Sequence, residues 1–254
     1  MIEVYTFESE YLSNERDIYI FLPPSYGESE ENYPVFYMQD GQNIFSEYGE
    51  GPWRWNMDET ALELIEKDLI EEIIIVGIAN TEWRDEEYTP SVDENEGSGG
   101  YGDLYLSFLI DEVKSYIDDT FRVRPFREDT AIGGSSLGGL LSLYAAMEHP
   151  EYFGKIAAMS PSIWWDDQII LTMAEEWEVD PEDMKIWLDM GVHEKDEEDE
   201  IDPVEESDIL CEILKSKGFK RGKNLRYYKD YRGEHNEFFW GKRMGKVLKF
   251  LFGK

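Results

Sequence analysis

Residues 134–138 read Gly-Ser-Ser-Leu-Gly, a G-x-S-x-G pattern between an apolar run that reads as a strand, Thr130–Gly134, and one that reads as a helix, Leu137–Met147. A tight strand-to-helix turn lifts the central serine into an exposed, strained position, and small neighbours remove the clashes that such a turn creates. The register selects Ser136 as the nucleophile, because a frame one residue earlier puts Leu137 where the second glycine belongs. The following helix start would aim the amide of Leu137 at developing negative charge. The competing use of such a turn is close packing of helix on strand. A phosphate loop is disfavoured, since no Gly-Lys-Ser/Thr follows.

A serine hydroxyl needs a base, and the chain has three histidines. His149 ends the helix that Ser136 begins, about 18 Å away at 1.5 Å per residue, and suits a helix C-terminus instead. His193 lies beside the expected acid. His235, in Gly233-Glu234-His235-Asn236-Glu237, falls between a strand, Leu225–Tyr231, and the last helix, where the final loop of an α/β-hydrolase carries its base. Glu194 is the first acid in the loop after Lys185–Met190, and the order Ser136, Glu194, His235 follows the hydrolase order. Asp196 and the acids after it are alternatives for that role, and Asp189 lies inside the strand. A second oxyanion donor is expected after the third strand, at the amide of Gln42, which follows the Asp40-Gly41 turn.

The elements that must position these groups alternate. Arg16–Leu22, Val35–Gln39, Ile73–Gly77, Thr130–Gly134, Lys155–Met159, Lys185–Met190 and Leu225–Tyr231 read as strands. Asp58–Ile70, Tyr105–Ile117, Leu137–Met147, Pro203–Lys217 and Phe238–Phe252 carry helical spacing. This predicts an α/β fold with a mostly parallel central sheet, helices on both faces and antiparallel strands at the N-terminal edge. No repeat or linker divides residues 1–254, so one domain is expected. Thr89–Gly102, rich in acids and glycines, reads as a surface loop. Glu194–Asp208 reads as a solvated acidic segment leading into a helix, and it lacks an Asp-x-Asp-x-Asp-Gly ligand pattern.

Four segments together resemble the putative esterase family: Phe36–Phe45 (FYMQDGQNIF), the Gly-Gly-Ser-Ser-Leu-Gly-Gly elbow, Met159–Trp165 (MSPSIWW) and Glu234–Glu237 (EHNE). That family groups esterase D with enterochelin-esterase-like and feruloyl-esterase-like α/β-hydrolases, and the likeness runs from about Tyr11 to the C-terminus. The resemblance implies a serine carboxylesterase working without metal or organic cofactor, with Ser136 as nucleophile and His235 as base. It places Glu194 where the family's Gly-Thr-x-Glu/Asp acid lies, although this chain reads Gly191-Val192-His193-Glu194. It also puts the Ser160–Trp165 loop beside the pocket, with Trp164 and Trp165 on its wall.

Trp53, Trp55 and Trp240 also fall in or near loops at the ligand-binding edge of such a sheet, where packing explains each of them as well. Arg54 and Arg84 could meet an anionic substrate or pair with surface acids. Three activities are compatible with the motif: ester hydrolysis, acyl transfer on the same fold, and binding without catalysis. The last expects Ser136 or His235 to be lost, and both are present.

Charge narrows the partners. The chain has 24 Lys and Arg against 57 Asp and Glu, a formal net charge of −33. Such a surface repels nucleic-acid phosphates and anionic membranes. With the esterase activity that the resemblance implies, the expected partner is a small-molecule ester, not nucleic acid or a membrane. Residues 215–254 hold 13 of the 24 basic side chains, which leaves the first 214 residues more acidic still. A salt-rich cytoplasm or simply high solubility accounts for this balance. One cysteine, Cys211, cannot form an internal disulfide, and Met1–Tyr11 lack the basic and apolar regions of a signal peptide, so the expected compartment is the cytoplasm.

Overall fold

The computed structural model describes residues 2–48, 51, 53–195 and 202–254. Its strands are β1 (Ile2–Glu8), β2 (Glu15–Phe21), β3 (Val35–Gln39), β4 (Ile74–Ile78), β5 (Val92–Asp93), β6 (Ser98–Gly99), β7 (Thr130–Ser136), β8 (Lys155–Pro161), β9 (Lys185–Gly191) and β10 (Leu225–Asp230). Its α-helices are α1 (Met57–Glu66), α2 (Arg84–Glu87), α3 (Gly102–Ser107), α4 (Ser115–Thr120), α5 (Leu137–Glu148), α6 (Trp165–Glu176), α7 (Pro203–Ser216) and α8 (Glu237–Phe252).

Eight strands form one sheet in the order β1-β2-β4-β3-β7-β8-β9-β10. β1 and β2 pair antiparallel, β2 joins β4 antiparallel, and the remaining pairs are parallel. The difference is written in the side chains. Every residue of β3 and β4 is buried, as strands covered on both faces require, whereas the edge strand β1 alternates partly covered with exposed positions. One apolar cluster, including Leu109, Leu140 and Leu210, covers one face of the sheet. A second, including Met57, Met244 and Leu251, covers the other beneath α1 and α8.

Two local features depart from simple patterning. The helix expected over Tyr105–Ile117 is a longer helical run whose middle, Phe108–Lys114, is π-helical. The wider turn lets the successive residues Phe108, Leu109 and Ile110 all face inward. Thr89–Gly102 is not a plain surface loop. It forms the β5–β6 hairpin, with Thr89 and Asp93 buried, and the Asp93 carboxylate accepts the amides of Asn95 (2.8 Å) and Asp166 (2.9 Å).

After β3 the chain adds β4 on one side, and it later places β7 on the other. The carboxyl ends of β3 and β7 therefore flank a topological switch point, where open α/β sheets hold their ligands. The Asp40–Asn43 turn leaves β3 there, and Ser136 leaves β7. No helix among the described residues is long and apolar enough to cross a membrane.

Candidate active site

Ser136 ends β7 and precedes α5 with φ 57° and ψ −125°, a conformation that L-residues hold only when their surroundings enforce it. The enforcement comes from close approach. A Cβ on Gly134 would lie 2.8 Å from the carbonyl carbon of Gly138 and 3.0 Å from Cβ of Gln39. The two glycines thus serve tight helix–strand packing and the sharp turn at once.

The Ser136 hydroxyl lies 3.0 Å from Nε2 of His235, and Nδ1 of that ring lies 2.8 Å from Oε2 of Glu194. A ring protonated on Nδ1 donates to the carboxylate and leaves Nε2 to accept from the serine. The loops carrying the two partners touch at glycines: a Cβ on Gly191 would meet the Gly233 carbonyl carbon at 2.7 Å. Amides of Val192 and His193 donate to the carbonyls of Asp230 (2.9 Å) and Gly233 (2.9 Å), joining the loops side by side. Asn236 then caps α8 through the Phe239 amide, which fixes His235 immediately before the helix.

Glu194 is buried, while His235 is 45% exposed and open to a ligand. Burial raises the Glu194 carboxyl, but the hydrogen bond to His235 and the Arg243 charge outweigh it and hold the group below its ordinary range. Asp189 lies deeper and burial pushes it up to about 6, against the opposing pull of Arg243. Asp189 does not reach the histidine. It accepts Trp187 Nε1 (2.6 Å) and the Ser160 amide (3.2 Å), and pairs with Arg243 at 2.8 Å. Asp196, the other acid considered, lies outside the described residues.

Two cavities meet at the Ser136–His235 pair. One, of about 320 Å³, is bounded by Asp40, Asn80, Arg84, Trp55 and Trp240. Arg84 makes a two-pronged ion pair with Asp40, Nε to Oδ1 at 2.8 Å and Nη2 to Oδ2 at 3.0 Å, and Asn80 Nδ2 donates to Asp40 Oδ1 at 2.6 Å. The other, of about 230 Å³, is bounded by Pro161, Ser162, Trp164, Met190 and Pro203. Of the tryptophan pair expected on the wall, Trp164 lines this second cavity. Trp165 does not: it is buried, and its indole donates to the Ser91 carbonyl at 3.0 Å, anchoring the segment before β5. Arg54 faces Gly51 and Ser46 carbonyls rather than either cavity.

Leu137 opens α5, so its amide belongs to the unpaired first turn of that helix. Gln42 sits in the single 3₁₀ turn Gly41–Asn43, entered through left-handed Asp40, and its side chain accepts the Asn80 amide at 3.2 Å. Neither residue is among those bounding the two cavities.

The roles of several neighbours, and Arg243 altogether, escaped the sequence reading. Ser162 places its hydroxyl 3.2 Å from that of Ser136, and its amide donates to the Ser136 carbonyl at 3.1 Å. Ser160 and Arg243 meet Glu194 from behind. Trp240 packs edge-on against His235, with ring centroids 4.9 Å apart. The pattern Met159–Trp165 marked the first segment without separating its serines by role, and no local signal marks an arginine inside a terminal helix.

A model of the putative esterase family matches residues 9–251. The uncharacterised protein YbbA of Bacillus subtilis is 27% identical over 97% of this chain and 96% of its own length. An endo-1,4-beta-xylanase/feruloyl esterase of Xylanibacter ruminicola is 26% identical over 99% of this chain, which spans 31% of that protein. The enterobactin esterase FES of Shigella flexneri, solved in the presence of enterobactin, superposes with a TM-score of 0.78 at 20% identity, covering 99% of this chain and 58% of that one. At that identity the likeness establishes the shared α/β-hydrolase fold.

Proposed function

The chain belongs to the putative esterase family of carboxylic ester hydrolases, and on that premise we propose that it cleaves a small-molecule ester through an acyl-enzyme on Ser136, within a single domain. The observation that carries this reading is the unbroken chain of bonds from Ser136 Oγ through His235 to Glu194. His235 takes the serine proton as Oγ attacks the ester carbonyl, and returns it to the departing alcohol. Water activated by the same ring then releases the acid. Glu194 keeps the ring's orientation and stabilises its charged form. The amides of Leu137 and Gln42 are the proposed oxyanion donors.

The two cavities suit an ester with substantial groups on both sides of the scissile bond. The larger presents the guanidinium of Arg84, braced by Asp40, to a hydrogen-bond acceptor, and the smaller presents Trp164 and Met190 to a flat or apolar group. Relatives are named for feruloyl and enterobactin esters, and esters of these two classes are the first substrates to test. A single buried Cys211 suits the reducing cytoplasm as the place of work.

A fluorophosphonate tests the reading directly. One adduct per chain on Ser136, together with hydrolysis of p-nitrophenyl or feruloyl esters, is the expected result. The absence of an adduct in both low and molar salt would remove Ser136 as an activated nucleophile. Adding an alcohol separates hydrolysis from acyl transfer: diversion of the acyl group at unchanged acyl-enzyme formation marks a transferase.

A further inference from the structure

Behind the Glu194 carboxylate lies a buried polar group that the proposed reaction does not itself use. Oε1 of Glu194 accepts from the Ser160 hydroxyl (2.7 Å), the Gly191 amide (2.8 Å) and, more weakly, Arg243 Nη2 (3.4 Å). Its other oxygen is left for His235. The Ser160 hydroxyl also accepts from Trp240 Nε1 (3.1 Å) and Arg243 Nη2 (3.0 Å). Two donors occupy its lone pairs, so its one proton is directed at Glu194. Arg243 is fully buried and spans two carboxylates, Asp189 at 2.8 Å and Glu194 at 3.4 Å.

We propose that Arg243 and Ser160 are positioning residues of this site, clamping Oε1 of Glu194 so that Oε2 is presented to His235. This rests on the reading of Ser136, His235 and Glu194 given above. The backbone supports it. Ser160 holds φ 41° at the end of β8, left-handed strain that persists only where surrounding contacts over-determine it. Both of its polar backbone and side-chain donors are engaged, the amide by Asp189 and the hydroxyl by Glu194. Trp240 and Arg243, three residues apart on α8, lie on one face beneath the site, and Trp240 packs on His235 while donating to Ser160. One helix turn thus supports acid and base together.

Four ionisable groups face this cluster: Asp189 from β9, Glu194 from the loop after it, His235 from the loop before α8, and Arg243 from α8. Ser160→Ala leaves all four in place. It is expected to lower kcat about ten- to a hundredfold with KM within about threefold, the range found when an outer partner of a working side chain is removed. Arg243→Met removes the cation, so Glu194 takes up a proton at higher pH and the loss of kcat deepens as pH falls. Arg243→Lys restores charge without the fork and should recover part of the loss. Because Arg243→Met strands two buried carboxylates, the double variant R243M/D189N serves if the single one does not fold. In the proton NMR spectrum the downfield Nδ1–H signal of His235 is expected to shift or broaden in Ser160→Ala.

Wild-type labelling by fluorophosphonate at Ser136 separates the two layers of argument. If the wild type fails to label there, the catalytic assignment falls. If it labels, yet Ser160→Ala and the folded Arg243 variant keep kcat within twofold and a superimposable pH profile, the clamp is overturned.

Discussion

His235 Nδ1 stands 2.8 Å from Glu194 Oε2, across a join between two loops where glycine meets glycine. Glutamine at 194 keeps the size but offers an amide where the imidazole needs an acceptor of full charge. Glu194→Gln is expected to lower kcat by about 10²–10⁴-fold while circular dichroism stays unchanged. Asp196→Asn, measured beside it, should cost less than about threefold if Glu194 is the acid. Equal, mild losses in both would instead favour a serine–histidine dyad.

His149 offers an internal comparison. Its amide closes α5 on the Ala145 carbonyl and its ring lies 3.7 Å from Glu151, at the far end of the helix that starts after Ser136. Replacing His235 by alanine should cost several orders of magnitude in kcat, comparable to Ser136→Ala, because such residues act as a unit. His149→Ala should leave kcat within about twofold. Similar losses at both histidines would undo the loop assignment.

Much of this arrangement is legible in sequence because it is local. Gly134 and Gly138 bracket Ser136 within one turn, and continuous apolar runs such as Ile74–Ile78 announce strands buried on both faces. The mostly parallel sheet with helices on both faces follows from that alternation, down to the antiparallel pairing at the N-terminal edge, and the elbow and family motifs are what mark it as an α/β-hydrolase. What sequence conceals is contact between distant segments. Trp164 and Trp165 are neighbours of the same type, yet one lines a cavity and the other is buried with its indole on the Ser91 carbonyl. Arg243 reads as one basic residue in a basic C-terminal helix, and only tertiary structure brings it to two carboxylates. The π-helical turn at Phe108–Lys114 escapes a 3.6-residue period by its nature.

The backbone of Ser136 is costly to stability. At φ 57° and ψ −125° a residue with a Cβ is strained by about 1–3 kcal/mol, and glycine is not. Glycine gives back part of that gain, roughly 0.4–1 kcal/mol, through a freer unfolded chain. Ser136→Gly should therefore be more stable than Ser136→Ala by about 1 kcal/mol, both being inactive. Denaturant titration of the two variants measures the difference. An alanine variant equal to or more stable than the glycine variant would mean that the turn is unstrained.

Asp189 makes a stability prediction with a definite sign. Its folded carboxyl sits at about 6, above its ordinary unfolded value, so the folded state binds a proton more readily than the unfolded chain. This group therefore contributes stability that grows as pH falls through 6, and it penalises folding above that pH. Glu194, shifted the other way, loses its contribution only at more acid pH, as it falls through the depressed folded value. Between pH 7 and 5, Asp189→Asn should thus flatten the rise in stability relative to wild type by roughly 1 kcal/mol. The comparison is made as a difference between the two proteins, since acidification also relaxes the repulsion among other acids. Parallel pH curves would mean that Asp189 stays ionised beside Arg243 throughout.

A net charge of −33 on 254 residues leads to the last prediction. Repulsion among like charges raises the free energy of the compact state, and salt shortens its reach from about 10 Å at 0.1 M to about 3 Å at 1 M. Salt also screens favourable surface pairs such as Lys67–Glu63, more than half exposed on both sides, but pairs of that kind contribute little. The buried pair Arg16–Glu87 is shielded from the effect. Repulsion should dominate, and the melting temperature is expected to rise by about 5 °C between 0.1 and 1 M NaCl, equivalent to roughly 2 kcal/mol for a chain of this size. Sucrose at matched osmolality, which stabilises compact states without screening, serves as the control. A rise with NaCl well beyond the rise with sucrose would point to adaptation to a salt-rich interior, whereas equal responses would leave solubility as the use of the charge.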